Sequence, residues 1–376
     1  MHKTIFLISF EYFPISQAGL ARHAKAMIDR LLKYRGFKAI IAVPKNNKIK
    51  LNKDIFTIPC VFFDNKYLCC LEFSLRVLFR LKGRFNLDSF VVFSPFSYFL
   101  LPILPKEFYL FVHSNGKRAF FTNYPGENIK DRLLRKLLYF FIYQWEMYLC
   151  KKAKKIFSVS QSLKDETVYQ YNLNKNKIIV INNGLDTNIF RKRVEPKILT
   201  KDLLYVGKIS YRKNVLDLIN ILKLLTDIDP QFKLHIMGTS DRGYLHKIKS
   251  KITEYKLNDR VLFYNYTSDV ELNKLYEKCS LFVTTSLLEG FGLVLLEAMG
   301  KGMPVIAYDN LGFRDIIVNE TCGHLVKPFD YQGFVNKIIY LYKNKDLYKK
   351  MAENALKKVD NFSWDRSVSK LVKELQ

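Results

Sequence analysis

Long apolar runs are missing from this chain of 376 residues. The nearest, Phe96 to Val112, is broken by Pro102, Pro105, Lys106 and Glu107, so no stretch reads as a membrane-crossing helix. The apolar start, Ile5 to Phe10, is too short for the h-region of a secretory signal, and none is expected. Cysteine is sparse, with six residues at 60, 69, 70, 150, 279 and 322 and no C-x-x-C pair among them. Disulfide and zinc readings therefore lose their spacing, and reduced, buried thiols of a cytosolic protein are the expectation. Neither an RNP motif nor Cys/His finger spacing occurs, so nucleic acid is not an expected partner. Acidic residues are also few, 35 against 61 Lys and Arg, for a formal net charge of +26. An excess of that size implies an anionic partner, either a phosphate-bearing ligand or an anionic membrane surface.

Apolar content and length are present in full measure. Apolar residues make up 49% of the chain, and its length exceeds one ordinary core and suits two domains. The most informative run is Ser286 to Met299, SLLEGFGLVLLEAM. It follows Ser280 to Thr284, which reads as a buried strand, and ends at Gly300-Lys301-Gly302-Met303-Pro304. The pattern is strand, tight glycine turn, helix start, then a Gly/Pro stop. Backbone N–H groups at such a turn, with the helix dipole behind them, suit an anion. Glu289 lies just before the helix and Glu297 about two turns along it. Phosphate affinity beside two carboxylates fits a ligand with both phosphates and hydroxyls, such as a nucleotide sugar. Taken without the turn, the same two residues would read as one dipole-complementing and one surface glutamate.

Glu289 and Glu297, seven residues apart within EGFGLVLLEAMGKGMPVIA, resemble the signature of the retaining glycosyltransferases of family 4. That resemblance implies an α/β chain with the GT-B fold: two Rossmann-like, doubly wound parallel-sheet domains facing a central cleft. It implies an acceptor-binding domain over 1–192, a donor-binding domain over 193–360, and a terminal helix, 361–376, crossing back to the first. The likeness is spread over most of the chain and is densest from Tyr205 to Val326.

Taken in order, Thr4 to Phe10, a loop to Gly19, a helix from Leu20 to Leu32 and Ala39 to Val43 form a βαβ unit. The loop FPISQAGLARH resembles the family's first glycine loop, which approaches the donor diphosphate; with Ala18 at the other usual glycine, only Gly19 is carried over. Further strands are expected over 55–62, 90–93 and 108–112. The basic stretch Lys66 to Arg84 reads as an amphipathic helix, suited either to a membrane interface or to core packing with solvated cations. His113 closes the strand Phe108 to Val112, at the end where open α/β sheets place ligands. By resemblance it contacts hydroxyls of the transferred sugar. Asn128 to Lys155 is helical in pattern, Ile156 to Val159 a strand, and Arg191 to Lys201 the linker.

The second half repeats the pattern: strands at 203–206, 233–237, 261–263 and 305–307, with helices at 215–225, 241–255 and 269–278. Lys208 and Lys213 match the family's two basic positions for the donor phosphates. Cations there stabilise the charge that a leaving nucleoside diphosphate gains as the glycosidic bond breaks. Lysine at 208 keeps charge and gives up the bidentate geometry of arginine. By the same resemblance Glu297 accepts from ribose hydroxyls and Glu289 from sugar hydroxyls. The donor site is then Gly19, Lys208, Lys213, Glu289, Gly290, Phe291, Gly292, Leu293 and Glu297, with His113, Glu289, Lys208 and Lys213 the catalytic set. Asp227-Ile228-Asp229 is formally D-x-D, but it ends an amphipathic helix before Pro230 rather than following a strand, so no metal and no cofactor are expected.

The expected activity is transfer of a hexose-type sugar, with retention, from a UDP- or GDP-sugar to a hydroxyl of a membrane-linked glycan or lipid. Lipopolysaccharide, capsule or lipid-linked oligosaccharide synthesis is the setting. The place is cytoplasmic, peripheral on the inner face of the membrane, and the partners are the nucleotide sugar, the glycan or glycolipid acceptor and the anionic surface. A catalytically silent GT-B scaffold and a transferase for soluble sugars stay open beside this reading.

Overall fold

Two wholly parallel β-sheets carry the chain, each in its own unit. The structure is a computed structural model describing residues 3–8, 19–34, 37–44, 55–58, 72, 76, 89–92, 108–186, 190, 199–265 and 268–376. Unit 1 comprises Met1–Phe121, Leu134–Gly184 and Trp364–Gln376; unit 2 comprises Thr122–Leu133 and Leu185–Ser363.

In unit 1 the strands are β1 (Lys3–Ile8), β2 (Phe37–Pro44), β3 (Ile55–Ile58), β4 (Ser89–Val92), β5 (Phe108–Val112), β6 (Lys155–Ser158) and β7 (Ile178–Val180). Their order across the sheet is β3-β2-β1-β4-β5-β6-β7. Unit 2 holds β8 (Asp202–Val206), β9 (Lys233–Met237), β10 (Val261–Tyr264), β11 (Leu281–Thr284), β12 (Val305–Tyr308) and β13 (Gly323–Val326). Their order is β10-β9-β8-β11-β12-β13. Each sheet grows outward one way from its first strand and then the other way, the doubly wound arrangement. Ligands in such sheets sit beyond the carboxyl ends of the strands where the order reverses. In unit 2 that point lies between β8 and β11, so topology brings the loop after Val206 beside the loop after Thr284.

Local sequence explains the elements. LFVT of β11 and VIAY of β12 are buried throughout, as strands covered on both faces must be. Helix Val215–Ile228 buries Leu218, Ile219, Ile221, Leu222 and Leu225 against the sheet. It stops at Asp229 because Pro230 cannot continue a helix. Phe232, Ile236, Val283, Ile306, Phe334 and Ile338 join that core. The candidate D-x-D belongs to this helix end: Asp227 pairs with Lys223 and Asp229 with Lys201. Cys150, Cys279 and Cys322 are buried free thiols; Cys60, Cys69 and Cys70 lie outside the described residues.

Unit boundaries differ from the 192/193 and 360/361 expected in chain order. The first falls after Gly184, because Leu185 donates its N–H to the Phe362 carbonyl (3.1 Å) and Phe190 packs edge-on to Tyr276. The last falls after Ser363: helix Trp364–Leu375 belongs to unit 1, where Asp365 pairs with Arg30 (3.1 Å), Glu374 with Lys155 (2.5 Å), and Ser367 donates to the Asn182 carbonyl (2.5 Å). Residues 122–133 group with unit 2, where Lys247 donates to the Gly126 carbonyl. The helix read over Lys66 to Arg84 lies outside the described residues except Glu72 and Arg76, which pair at 2.8 Å. The glycine loop and most of the linker also lie outside them; Gly19 opens helix Gly19–Leu31 and is exposed.

Candidate active site

Unit 2 assembles its candidate site at the switch point. After β8 a short 3-10 turn, Tyr211–Lys213, ends at Asn214 in the left-handed region (φ 50°), and helix Val215–Ile228 starts from there. Asn214 is held from both sides: its amide donates to Asp217 (2.6 Å), and Thr285 after β11 donates to its carbonyl (2.8 Å). The buried Asp217 also accepts from the hydroxyls of Tyr308 (2.8 Å) and Tyr331 (2.9 Å). Burial pushes the Asp217 carboxyl up, and these hydrogen bonds pull it back.

Lys213 leaves this turn and meets the Glu289 carboxylate, both largely buried. Arg212 reaches the same loop, donating to the Leu288 carbonyl at 2.7 Å and standing 3.5 Å from the other Glu289 oxygen. Burial, and then the Arg212 guanidinium, push the Lys213 ammonium well below the usual lysine range. Its positive charge therefore leans on Glu289.

The Glu289 loop is pinned from beneath by Asn310, which follows β12 and is buried. Its side-chain oxygen accepts from the backbone N–H of Glu289 (3.2 Å) and of Gly312 (3.3 Å), and its amide donates to the Ser286 carbonyl (3.1 Å). Gly290 and Phe291 are buried, the Phe291 ring edge-on to Phe362 at 5.7 Å. Gly292 takes φ +111°, and a Cβ there would lie 2.8 Å from the Phe313 ring. Helix Leu293–Gly300 begins directly after it with no side chain capping its first turn. Its leading N–H groups thus stand beside two cations and a carboxylate, a combination suited to phosphate with hydroxyls attached.

Lys213, Glu289, Gly290, Phe291, Gly292 and Leu293 therefore share one corner of unit 2. Glu297 is on the same helix but buried, accepting from the Tyr276 hydroxyl at 3.0 Å. Lys208 is exposed and its ammonium sits 2.6 Å from Asp241, whereas Arg212 and Lys213 are the cations at Glu289. Arg212, Asn310 and Asp217 were not singled out by sequence reasoning. Their only signal is a polar residue set just past a buried strand or turn.

Comparison with known proteins adds the decisive observation: residues 186–358 match the model of glycosyl transferases group 1, and residues 18–189 that of glycosyltransferase family 4. The chain belongs to glycosyltransferase family 4. Among curated relatives, the O-antigen chain mannosyltransferase RfbU of Salmonella typhimurium is 30% identical over 210 residues, 55% of this chain and 56% of that one. The chain spans less than two thirds of the length of the curated relatives it matches. Sucrose-phosphate synthase from Thermosynechococcus elongatus superposes with a TM-score of 0.80 at 19% identity, over 99% of this chain and 98% of that one. Anabaena HepE in complex with UDP and glucose superposes at 0.75 with 18% identity, over 100% and 99%. At those identities the likeness shows the fold, which is GT-B.

In unit 1 of this glycosyltransferase, His113 stands half-buried at the carboxyl end of β5. Its ring meets His23 edge-to-face at 4.5 Å and stacks with Phe111 at 5.9 Å. His23, on helix Gly19–Leu31, is fully buried, 2.7 Å from the Asn183 amide oxygen and 5.6 Å from the Trp364 ring. Just past His113, the Gly116 N–H donates to buried Glu146 at 3.2 Å. Burial pushes the Glu146 carboxyl up to about 8 and the His23 imidazole down to about 4.

A pH dependence follows. The folded pKa of His23 lies below its unfolded value, so the fold favours neutral imidazole. Its contribution is complete above pH 6.5 and is lost as pH falls from 6.5 to about 4. Integrated over that window it amounts to about 3 kcal/mol. Glu146 acts oppositely between 4.5 and about 8, so the quantity to measure is a difference. The stability of wild type minus that of His23→Gln, from chemical denaturation, should fall with acid across the His23 window. A difference independent of pH would remove His23 as its source.

Proposed function

We propose that this transferase moves a hexose-type sugar from a UDP- or GDP-sugar, with retention, to a hydroxyl of a membrane-linked glycan or lipid. The observation that carries the reading is Lys213 paired with Glu289 beside the uncapped start of helix Leu293–Gly300. The helix start and Lys213 meet the diphosphate and, with Arg212, stabilise its charge as the bond to the sugar breaks. Glu289 accepts from sugar hydroxyls, and Glu297, turned from Tyr276, from the ribose. Lys208 joins the phosphates by leaving Asp241, an exposed pair that is cheap to break. His113 contacts a hydroxyl of the transferred sugar. No metal is used: the cations of the chain itself meet the phosphate charge.

The donor class is supported by HepE, solved with UDP and glucose, and the acceptor class by RfbU, named for the O-antigen chain. The excess of cations supports work at an anionic surface on the cytoplasmic side. Among the described residues no helix is long and apolar enough to cross a membrane.

The test is a melting panel of nucleoside diphosphates and their sugars. Ligand at about 100 times its Kd stabilises the folded state by about 2.7 kcal/mol, so UDP or GDP should raise Tm by several degrees and release of the free sugar from the matching donor should be detectable. If no nucleoside diphosphate shifts the melting curve, the donor site is wrongly placed.

A further inference from the structure

Helix Ile129–Lys152 in its unit 1 portion turns an apolar side outward. Leu134, Leu137 and Phe141 follow one another at three- and four-residue steps on one helix face, and stand 65%, 58% and 60% exposed. Tyr148, seven residues on, is exposed on the same face. The other side holds Glu146, Leu149 and Cys150, all buried. A carboxyl inside and leucines outside is the reverse of an ordinary water-facing helix.

Phe121, at the end of helix Gly116–Phe121 and 62% exposed, enlarges the face. Its ring meets Phe120 (4.9 Å), Phe120 meets Phe140 (6.2 Å), and Phe140 meets Phe141 (5.6 Å). The result is a continuous aromatic surface on two elements, of a kind that soluble proteins rarely leave uncovered. Its charge has one sign. Lys136 lies within the stretch and Lys151 and Lys152 are exposed at its end, with the Lys152 ammonium 5.9 Å from the Tyr148 ring centroid. The only carboxylate between Leu134 and Lys152 is the buried Glu146.

We propose that this face docks on an anionic lipid surface. Phe121, Leu137 and Phe141 enter the acyl boundary, while Lys151 and Lys152 meet headgroup phosphates. Tyr148, with an apolar ring and a polar tip, suits the level between them. Charge decides against a second copy of the chain as occupant: a face edged by Lys151 and Lys152, with no exposed acid between Leu134 and Lys152, repels itself, and the whole chain carries +26. The inference goes beyond the transferase reading, because the face is separate from the donor residues of unit 2 and stands whether or not those bind nucleotide.

Flotation of the full chain with phosphatidylcholine vesicles, with and without phosphatidylglycerol, tests it. Wild type should bind the phosphatidylglycerol vesicles at least about 10-fold more tightly, at about 1 kcal/mol per lysine near the surface. Phe141→Glu and Leu137→Glu, both at exposed positions, should each weaken that binding about 10-fold or more. The double change Lys151→Ala, Lys152→Ala should abolish the preference for phosphatidylglycerol. Melting curves with UDP and GDP, run on the same variants, should match wild type. Equal binding to both vesicles, or a Phe141→Glu variant that floats like wild type, overturns the proposal. So does a wild-type dimer that Phe141→Glu dissociates without any vesicle binding, which would assign the face to a second copy. Vesicle binding with no nucleotide response leaves this face standing and removes the transferase reading instead.

Discussion

Glu289→Gln is expected to lower kcat for donor turnover by about 10²- to 10³-fold, the size seen when one preorganised charge-stabilising contact is removed from an active site. Two effects add. The amide no longer accepts from sugar hydroxyls as an ionised carboxylate does. It also leaves the Lys213 ammonium buried beside Arg212 with its countercharge gone, and burial and then Arg212 already push Lys213 toward the neutral form. A neutral Lys213 no longer attracts phosphate, so the affinity for nucleoside diphosphate should fall with kcat. Breaking a buried pair by removing one partner costs about 3–5 kcal/mol, and part of that should appear as a lower Tm of unit 2. A double-mutant cycle separates pair from parts. With Lys213→Met as the second change, the double variant should lose far less than the sum of the two single losses. Additive losses would mean that the two residues work independently, and the pair would lose its place at the centre of the site.

Gly312→Ala should be nearly as damaging, although residue 312 carries no chemistry. A Cβ there would come within 2.7 Å of the Glu289 carbonyl oxygen, the Gly290 carbonyl carbon and the Phe291 nitrogen. All three are backbone atoms, so no side chain can swing aside. Either helix Leu311–Arg314 or the Glu289 loop must move, and the Asn310 hydrogen bonds that join them stretch with it. Overpacking of this kind costs about 1–3 kcal/mol, and displacement of a positioned group by about 1 Å costs about 10²-fold in rate. The expected result is a lower Tm with kcat/KM reduced by that order. Gly243→Ala is the control: nothing lies within 4 Å of its Cβ position, in helix Arg242–Glu254, and the change should leave activity alone. A Gly312→Ala variant with wild-type kcat/KM would show that the loop is not held in register by this contact.

Much of this molecule could be read along the chain. The strands Phe108–Val112 and Lys233–Met237 and the helix Asp269–Lys278 fall where their apolar patterns and flanking turn residues place them. The run from Ser286 to Met299 pointed to its family, because strand, glycine turn and helix start are consecutive and their chemistry is local. The alternation of strands and helices gave βαβ units in both halves, and the family resemblance implied that they form two doubly wound domains. These features were legible because backbone dihedrals and short-range periodicity are properties of neighbouring residues.

Contacts between distant residues were not legible in that way. Lys213 and Glu289 lie 76 residues apart, and only the reversal of strand order between β8 and β11 brings their loops together. Lys208, which resemblance groups with Lys213, turns to Asp241 instead, because which loop a lysine faces depends on what folds beside it. Asn310, Asp217 and Gly312 matter through the backbone they hold or make room for, which no spacing announces. The helix Ile129–Lys152 makes the point most plainly. Its sequence shows aromatics and cations at helical spacing, but periodicity cannot say which side meets water. Packing against the rest of unit 1 buried Glu146 and left Leu137 and Phe141 outside. A helix pattern specifies its faces, and only the neighbours in space decide which of them is covered.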